Sequence, residues 1–204
     1  MRIEMMNTGI LGVNTYIVFN DELHECVVID AGGDFQRLSN YIAENGATCK
    51  AVLLTHGHFD HIGAAKEFQD NGAVVYIHKA DEDFTLTPSS AGYPSLAKTV
   101  KPFSADKFVN DGDVLKLAGL DILVIHTPGH SKGSVTYKIE GNLFCGDTLF
   151  CHSIGRTDLP GGDYDEIIKS IENKLFCFSN MKVFPGHDQF STIDDEKINN
   201  PFFI

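Results

Sequence analysis

Residues 56–61 read His56-Gly57-His58-Phe59-Asp60-His61, directly after the apolar run Ala51-Val52-Leu53-Leu54. Three imidazoles and a carboxylate in six positions constrain the fold severely. A strand must end against a pocket in which four polar groups all find partners. Each would cost free energy if buried without one, and an unpaired buried charge would cost more. Ordinary core packing does not supply so many partners at one point, whereas a divalent cation, or a pair of them, satisfies all four at once. His56 and His58 are two apart, so in extended backbone they project to the same side. Asp60 and His61 then turn toward the same centre.

Three further ligand-type residues follow strand-like segments. His130 stands in His126-Thr127-Pro128-Gly129-His130, Asp147 in Cys145-Gly146-Asp147, and His187 in Phe184-Pro185-Gly186-His187. A small or turn-forming residue precedes each one. Glycine or proline at such places lets backbone approach a crowded site.

The remaining pattern predicts a mixed α/β chain. Strands are expected at Val13 to Phe19, Cys26 to Ile29, Cys49 to Leu54 and Val74 to Ile77. A second group is expected at Val114 to Leu117, Asp121 to His126, Ser134 to Ile139, Leu143 to Cys145 and Lys182 to Phe184. Asp34 is read as the cap of a helix ending at Asn45 and Gly46, Asp60 as the cap of one from His61 to Asp70, and Asp163 as the cap of one reaching Leu175. Residues 84–105, with four prolines and glycines among them, read as an irregular binding loop. The ligand types fall just beyond strand ends, where a rigid scaffold presents chemistry.

Charge and hydropathy narrow the function. Lys and Arg number 16 against 28 Asp and Glu, giving a formal net charge of −12 with no basic run. That composition argues against a nucleic-acid backbone or an anionic membrane as partner. No stretch of 18 apolar residues is present to span a bilayer. The opening Met1-Arg2-Ile3-Glu4 does not read as a secretory signal, and the five cysteines show no paired spacing. The expectation is a cytoplasmic protein with reduced thiols.

The set His56-x-His58-x-Asp60-His61, His130, Asp147 and His187 resembles the metallo-β-lactamase fold superfamily. The segments Thr127-Pro128-Gly129-His130, Gly146-Asp147-Thr148-Leu149-Phe150, Gly155-Arg156-Thr157-Asp158 and Pro185-Gly186-His187 are most similar to its small glyoxalase II-like hydrolases. The resemblance runs along nearly the whole chain. It implies one domain over residues 1–204, an αββα sandwich of two mixed sheets flanked by helices. It implies a two-metal site in which His56, His58 and His130 hold one ion, Asp60, His61 and His187 the other, and Asp147 bridges them. Zinc is the expected metal, and iron or manganese also suits these donors. The implied reaction is hydrolysis of a small-molecule thioester or ester, S-2-hydroxyacylglutathione in the glyoxalase II case, by a hydroxide held between two metals. Asp60 is then the catalytic residue that orients the hydroxide. Full-length glyoxalase II proteins carry a C-terminal helical extension that helps grip glutathione. This chain ends at Ile204, soon after His187, so another thiol carrier is an alternative. A mononuclear-iron persulfide dioxygenase, using only His56, His130 and Asp147, and a lactonase of the same fold are the rival readings.

Arg156 and Tyr93 are the candidate substrate-binding residues, with Lys98 and Lys101 as further loop positions. The alternative for Arg156 is a local ion pair with Asp158. His24, His78 and His152 lack motif context and are expected at the surface or in packing. His126 is expected at a strand end or behind a ligand, and Cys145 in the apolar core.

Overall fold

Every side chain from Val13 to Phe19 is buried, although neighbours along a strand point to opposite faces. That segment must therefore be covered on both sides, and the computed structural model, which describes residues 1–204, shows how. Ile17 and Phe19 face a helical layer, whereas Tyr16 and Val18 face a second sheet.

The first half of the chain runs β1 (Arg2–Thr8), β2 (Val13–Asn20), β3 (Glu25–Ile29), α1 (Phe35–Glu44), β4 (Thr48–Leu53), α2 (Ala65–Asp70), β5 (Val74–His78), α3 (Glu82–Leu86) and β6 (Lys107–Val109). The second half runs β7 (Val114–Leu117), β8 (Leu120–His126), β9 (Val135–Ile139), β10 (Asn142–Gly146), β11 (Leu149–Phe150), β12 (Ser153–Ile154), α4 (Tyr164–Ser170), β13 (Lys182–Pro185), β14 (Ser191–Thr192) and α5 (Ile193–Asn199).

Two six-stranded sheets result, ordered β1-β2-β3-β4-β5-β6 and β14-β13-β10-β9-β8-β7. Each mixes parallel and antiparallel pairs: β3, β4, β5 and β6 pair in parallel, and so do β10 and β13. Between the sheets lies a core built on Tyr16, Leu53, Ile122, Tyr137 and Phe144. Leu38 and Ile42 of α1 and Phe68 of α2 close the outer face of the first sheet. Ile167 of α4, Ile171 and Leu175 close that of the second. Burying one such side chain stabilises the fold by about 1.5–3 kcal/mol, so the layers hold without a disulfide. The αββα expectation is met.

Several local expectations are corrected. Asp34 does not cap α1: it lies at φ +53 and its carboxylate accepts the Gly9 N–H at 3.1 Å. The second helix starts at Ala65 rather than His61. The His61 N–H is spent on the His58 carbonyl and the Ala64 N–H on the Ala31 carbonyl, so residues 61–64 form turns. Segment 84–105 contains the end of α3 and two short 3₁₀ turns at Pro88–Ala91 and Ala97–Thr99. Asp163 does cap α4, accepting the Glu166 N–H at 3.0 Å, and one π turn over Ile171–Leu175 carries the helix on. Strands β1 and β6 and helix α5 are additions to the expected elements.

Candidate metal centre

The loop after β4 carries His56, His58, Asp60 and His61 to one end of the sandwich. From the second sheet, the turn after β8 brings His130, the end of β10 brings Asp147, and the turn after β13 brings His187. All seven meet. The ligand atoms of His56, His58 and His130 lie within 4.8 Å of one another, and so do those of Asp60, His61 and His187. A third such set, His56, His61 and Asp147, joins the two. Asp147 stands between them: Oδ1 is 3.3 Å from His61 Nε2, and Oδ2 is 3.6 Å from His130 Nε2 and 3.8 Å from His187 Nε2. Asp60 Oδ2 lies 3.2 Å from His187 Nε2.

The hydrogen bonds behind these rings decide which nitrogen faces the centre. The Arg156 carbonyl can only accept, so His130 Nδ1 donates to it at 2.7 Å and leaves Nε2 as the lone pair. His61 Nδ1 donates in the same way to Asp30 Oδ2 at 2.9 Å. Thr55 Oγ1 gives its proton to Asp30 Oδ2 at 2.7 Å and accepts from His56 Nδ1 at 3.0 Å. Three imidazoles are thereby locked with lone pairs inward, the arrangement by which outer hydrogen bonds orient metal ligands. His56 Nε2, His61 Nε2 and Asp147 Oδ1 are buried with no hydrogen-bond partner, as is His58 Nε2. His58 Nδ1 instead faces His130 Nε2 at 2.8 Å. Buried, inward-facing lone pairs left without donors are what a pair of divalent cations would complete, and the residues present fit that group.

Protonation agrees. Burial, then the neighbouring histidines, pushes the His56 imidazole well below its ordinary value, and burial with His130 takes His58 down to about 3. Burial works to raise the Asp147 carboxyl, yet His61, His130 and His187 around it hold it well below the usual carboxylate range. Asp60 is likewise held low against its burial by His61 and His187. Burial opposes the charge on His61, but Asp147, Asp30 and Asp60 outweigh it and raise its pKa. Neutral imidazole and ionised carboxylate are the ligand forms of these groups.

Close backbone approach leaves no room for a side chain at two glycines without a shift of their neighbours. A Cβ on Gly186 would lie 2.2 Å from Asp147 Oδ1 and 2.6 Å from His61 Cε1. Gly146 sits at φ +50, where a Cβ would come within 2.2 Å of Thr55 Oγ1.

Sequence reasoning missed the groups that position the donors. Asp30 follows β3 at φ +53 and, besides His61 and the Thr55 hydroxyl, accepts the Thr55 N–H at 2.8 Å. Asp81, fully buried, accepts from Gly57 N–H at 2.9 Å, Ser131 Oγ at 2.6 Å and Gly133 N–H at 2.7 Å, tying the His58 loop to the His130 loop. Asn14 of β2 binds the His187 turn through the Pro185, Gly186 and Asp188 carbonyls. Asp30 and Asn14 are polar residues beside apolar stretches, and that is the one signal they give, whereas Asp81 lies in the polar run His78-Lys79-Ala80-Asp81-Glu82-Asp83 and gives none.

A cavity of about 540 Å³ opens on the centre and is lined by His58, Asp60, His130, Asp147 and His187 together with Leu11, Phe59, Leu96, Phe150 and Leu159. Tyr93 and Arg156 line it too. Arg156 also forms the local pair with Asp158, so both readings of it coexist. Lys98 and Lys101 do not line the cavity, and Lys101 reaches Glu67 at 2.9 Å instead. His126 stacks on His78 with ring centroids 4.2 Å apart and contacts none of the seven. His152 pairs with Asp195 at 2.7 Å, His24 is exposed, and Cys145 packs in the outer core of the second sheet. No helix is long and apolar enough to cross a membrane.

Known proteins are similar to this one over nearly the whole chain. The hydroxyacylglutathione hydrolase GloC of Haemophilus influenzae is 36% identical over 99% of this chain and 98% of its own length. The crystal structure of BLEG-1, a B3 metallo-beta-lactamase, superposes with a TM-score of 0.91 at 36% identity, covering 99% of both chains. That of TTHA1623 in a di-iron-bound form does so with a TM-score of 0.85 at 32% identity, covering 98% of this chain and 99% of the other. The sequence profile of the metallo-beta-lactamase superfamily matches residues 8–187, and with the sandwich and the histidine–aspartate clusters in place the chain belongs to that superfamily.

Proposed function

We propose that the protein is a metal-dependent hydrolase that cleaves thioesters of small acids, with His56, His58 and His130 holding one divalent ion, Asp60, His61 and His187 a second, and Asp147 shared. The observation that carries this reading is the complete second triad, Asp60, His61 and His187, beside the first. A mononuclear oxygenase needs only His56, His130 and Asp147 and leaves that triad without a task. Similarity to a hydroxyacylglutathione hydrolase at 36% identity supports the thioester class. Zinc suits the imidazole–carboxylate donors, and the di-iron relative makes iron the second metal to load.

When bound there, divalent cations supply Lewis-acid polarisation and acidify solvent at neutral pH. The chain's own residues do the rest. Asp60, ionised and anchored toward His187, orients the attacking solvent and receives its proton as the carbonyl carbon is attacked. Phe59, Leu11 and Leu159 wall the cavity and exclude bulk water from the acyl group. The bond that breaks is carbon–sulfur. A thiol titrating near ~8.5 leaves as thiolate without a strong general acid, and the motif contains none beyond Asp60. An amide nitrogen would need one. The absence of a basic run and the small apolar cavity favour a small-molecule substrate in the aqueous phase.

The test is a hydrolysis screen of zinc-loaded and iron-loaded protein against S-lactoylglutathione, non-glutathione thioesters, lactones and a β-lactam. Turnover of thioesters above the other classes supports the proposal. Thiol-dependent oxygen uptake by protein carrying one iron per chain would replace it with the oxygenase.

A further inference from the structure

Apart from the metal donors, the cavity wall carries few charges. Its one cationic side chain is Arg156, and that fork is already filled. Nε and Nη2 donate to the two Asp158 oxygens at 2.7 and 2.8 Å, and Nη1 donates to the Tyr93 hydroxyl. Asp188 adds an unneutralised carboxylate on the wall, and Leu11, Phe59, Leu96 and Phe150 supply apolar surface.

A substrate carboxylate arriving at Arg156 meets a neutral pair rather than a cation. To bind the fork it must displace Asp158, exchanging one carboxylate for another in the same bidentate geometry, which leaves little net gain. A contact made afresh to a free guanidinium would raise affinity roughly tenfold or more. The pair is half exposed, with side chains 47% and 69% accessible, so solvent reduces that gain to severalfold. Tyr93 is held beside it at φ +51, a conformation that costs an aromatic residue strain. Its oxygen accepts from Arg156, so its own proton remains for a neutral carbonyl or hydroxyl.

We propose that Asp158 is the resident occupant of an anion fork, so that the cavity selects thioesters whose acyl and thiol portions are uncharged near the reacting bond. Carriers recognised through their carboxylates gain nothing there. Asp158 is in this sense a specificity-determining residue, and the assignment rests on the thioester reading given above.

Calorimetric titration of the metal-loaded 204-residue chain tests it, with two probes that cannot be hydrolysed. S-methyl-N-acetylcysteamine is neutral, and S-methylglutathione carries two carboxylates. The native chain should bind the neutral probe at least as tightly. Asp158→Asn should shift the affinity ratio toward S-methylglutathione by roughly three- to tenfold, less at high salt. Asp158→Ala serves as a second variant if the amide disturbs folding. A native preference for S-methylglutathione of about tenfold, a ratio unmoved by either variant, or no binding of the neutral probe would overturn the proposal. The S-lactoyl thioesters of the same two thiols are assayed in parallel. No hydrolysis of either refutes the thioester reading, while the binding ratio still judges the fork.

Discussion

Asp30 accepts the Nδ1–H of His61 at 2.9 Å, with both side chains buried. It also accepts from both the N–H and the hydroxyl of Thr55, whose hydroxyl holds His56. One carboxylate thus orients a ring of each triad. Asp30→Ala is expected to lower metal affinity by about 10–100-fold. Competition against a chelator of known affinity measures this. Unchanged metal retention would show that His61 and His56 are fixed by packing alone.

Asp60→Ala removes the group assigned to orient solvent. Turnover should fall by about 10²–10⁴-fold, with substrate binding largely preserved. Steady-state kinetics on protein whose metal content has been matched to native separates this effect from lost metal. Near-native turnover would remove the role.

Metal uptake should release protons. In the metal-free protein Asp147, Asp30 and Asp60 raise the pKa of His61 against its burial, and Asp60 raises that of His187 against its burial. Both folded values lie above the unfolded one. Their stabilisation of the metal-free fold is therefore full below the unfolded imidazole value and is lost as pH rises through the folded values. Asp147 and Asp60 act oppositely, since their depressed values add stability above the unfolded carboxylate value that is lost on acidification. Metal affinity should rise with pH, because a cation must displace the protons that the carboxylates favour on His61 and His187. Titrations in buffers of different ionisation enthalpy count those protons. A count of zero at pH 7 would show both rings already neutral.

Gly186→Ala places a Cβ 2.2 Å from Asp147 Oδ1, a rigid neighbour flanked by His61. Something must shift, and the carboxylate between the two triads is the nearest atom. Metal content measured after dialysis should fall, with the thermal transition of the metal-free protein lowered by only a few degrees, for roughly 1–3 kcal/mol of overpacking. Full metal retention would show that the turn relaxes freely.

Much of this site was legible because the donors travel in short motifs at strand ends. His56, His58, Asp60 and His61 share one loop, and His130, Asp147 and His187 each follow a strand and a glycine. All seven converge. The supporting groups were not legible, because their partners are remote in sequence: Asp30 meets His61 31 residues away, and Asp81 meets Gly133 52 residues away. The same cause explains the helix boundaries. Asp34 and Asp60 look like caps locally, but each carboxylate has a tertiary partner, Gly9 and His187 respectively, that the local pattern does not reveal. Strand β1 alternates weakly and is visible only through its register with β2.

Four of the seven donors ride on the first sheet and three on the second. Ions seated among them would stitch together two halves that otherwise meet through the shared apolar core and a few cross-sheet ties. Starvation for metal would then loosen the seam itself as well as silence chemistry, leaving a body more open to proteases. Abundance of the protein would track the supply of its ions.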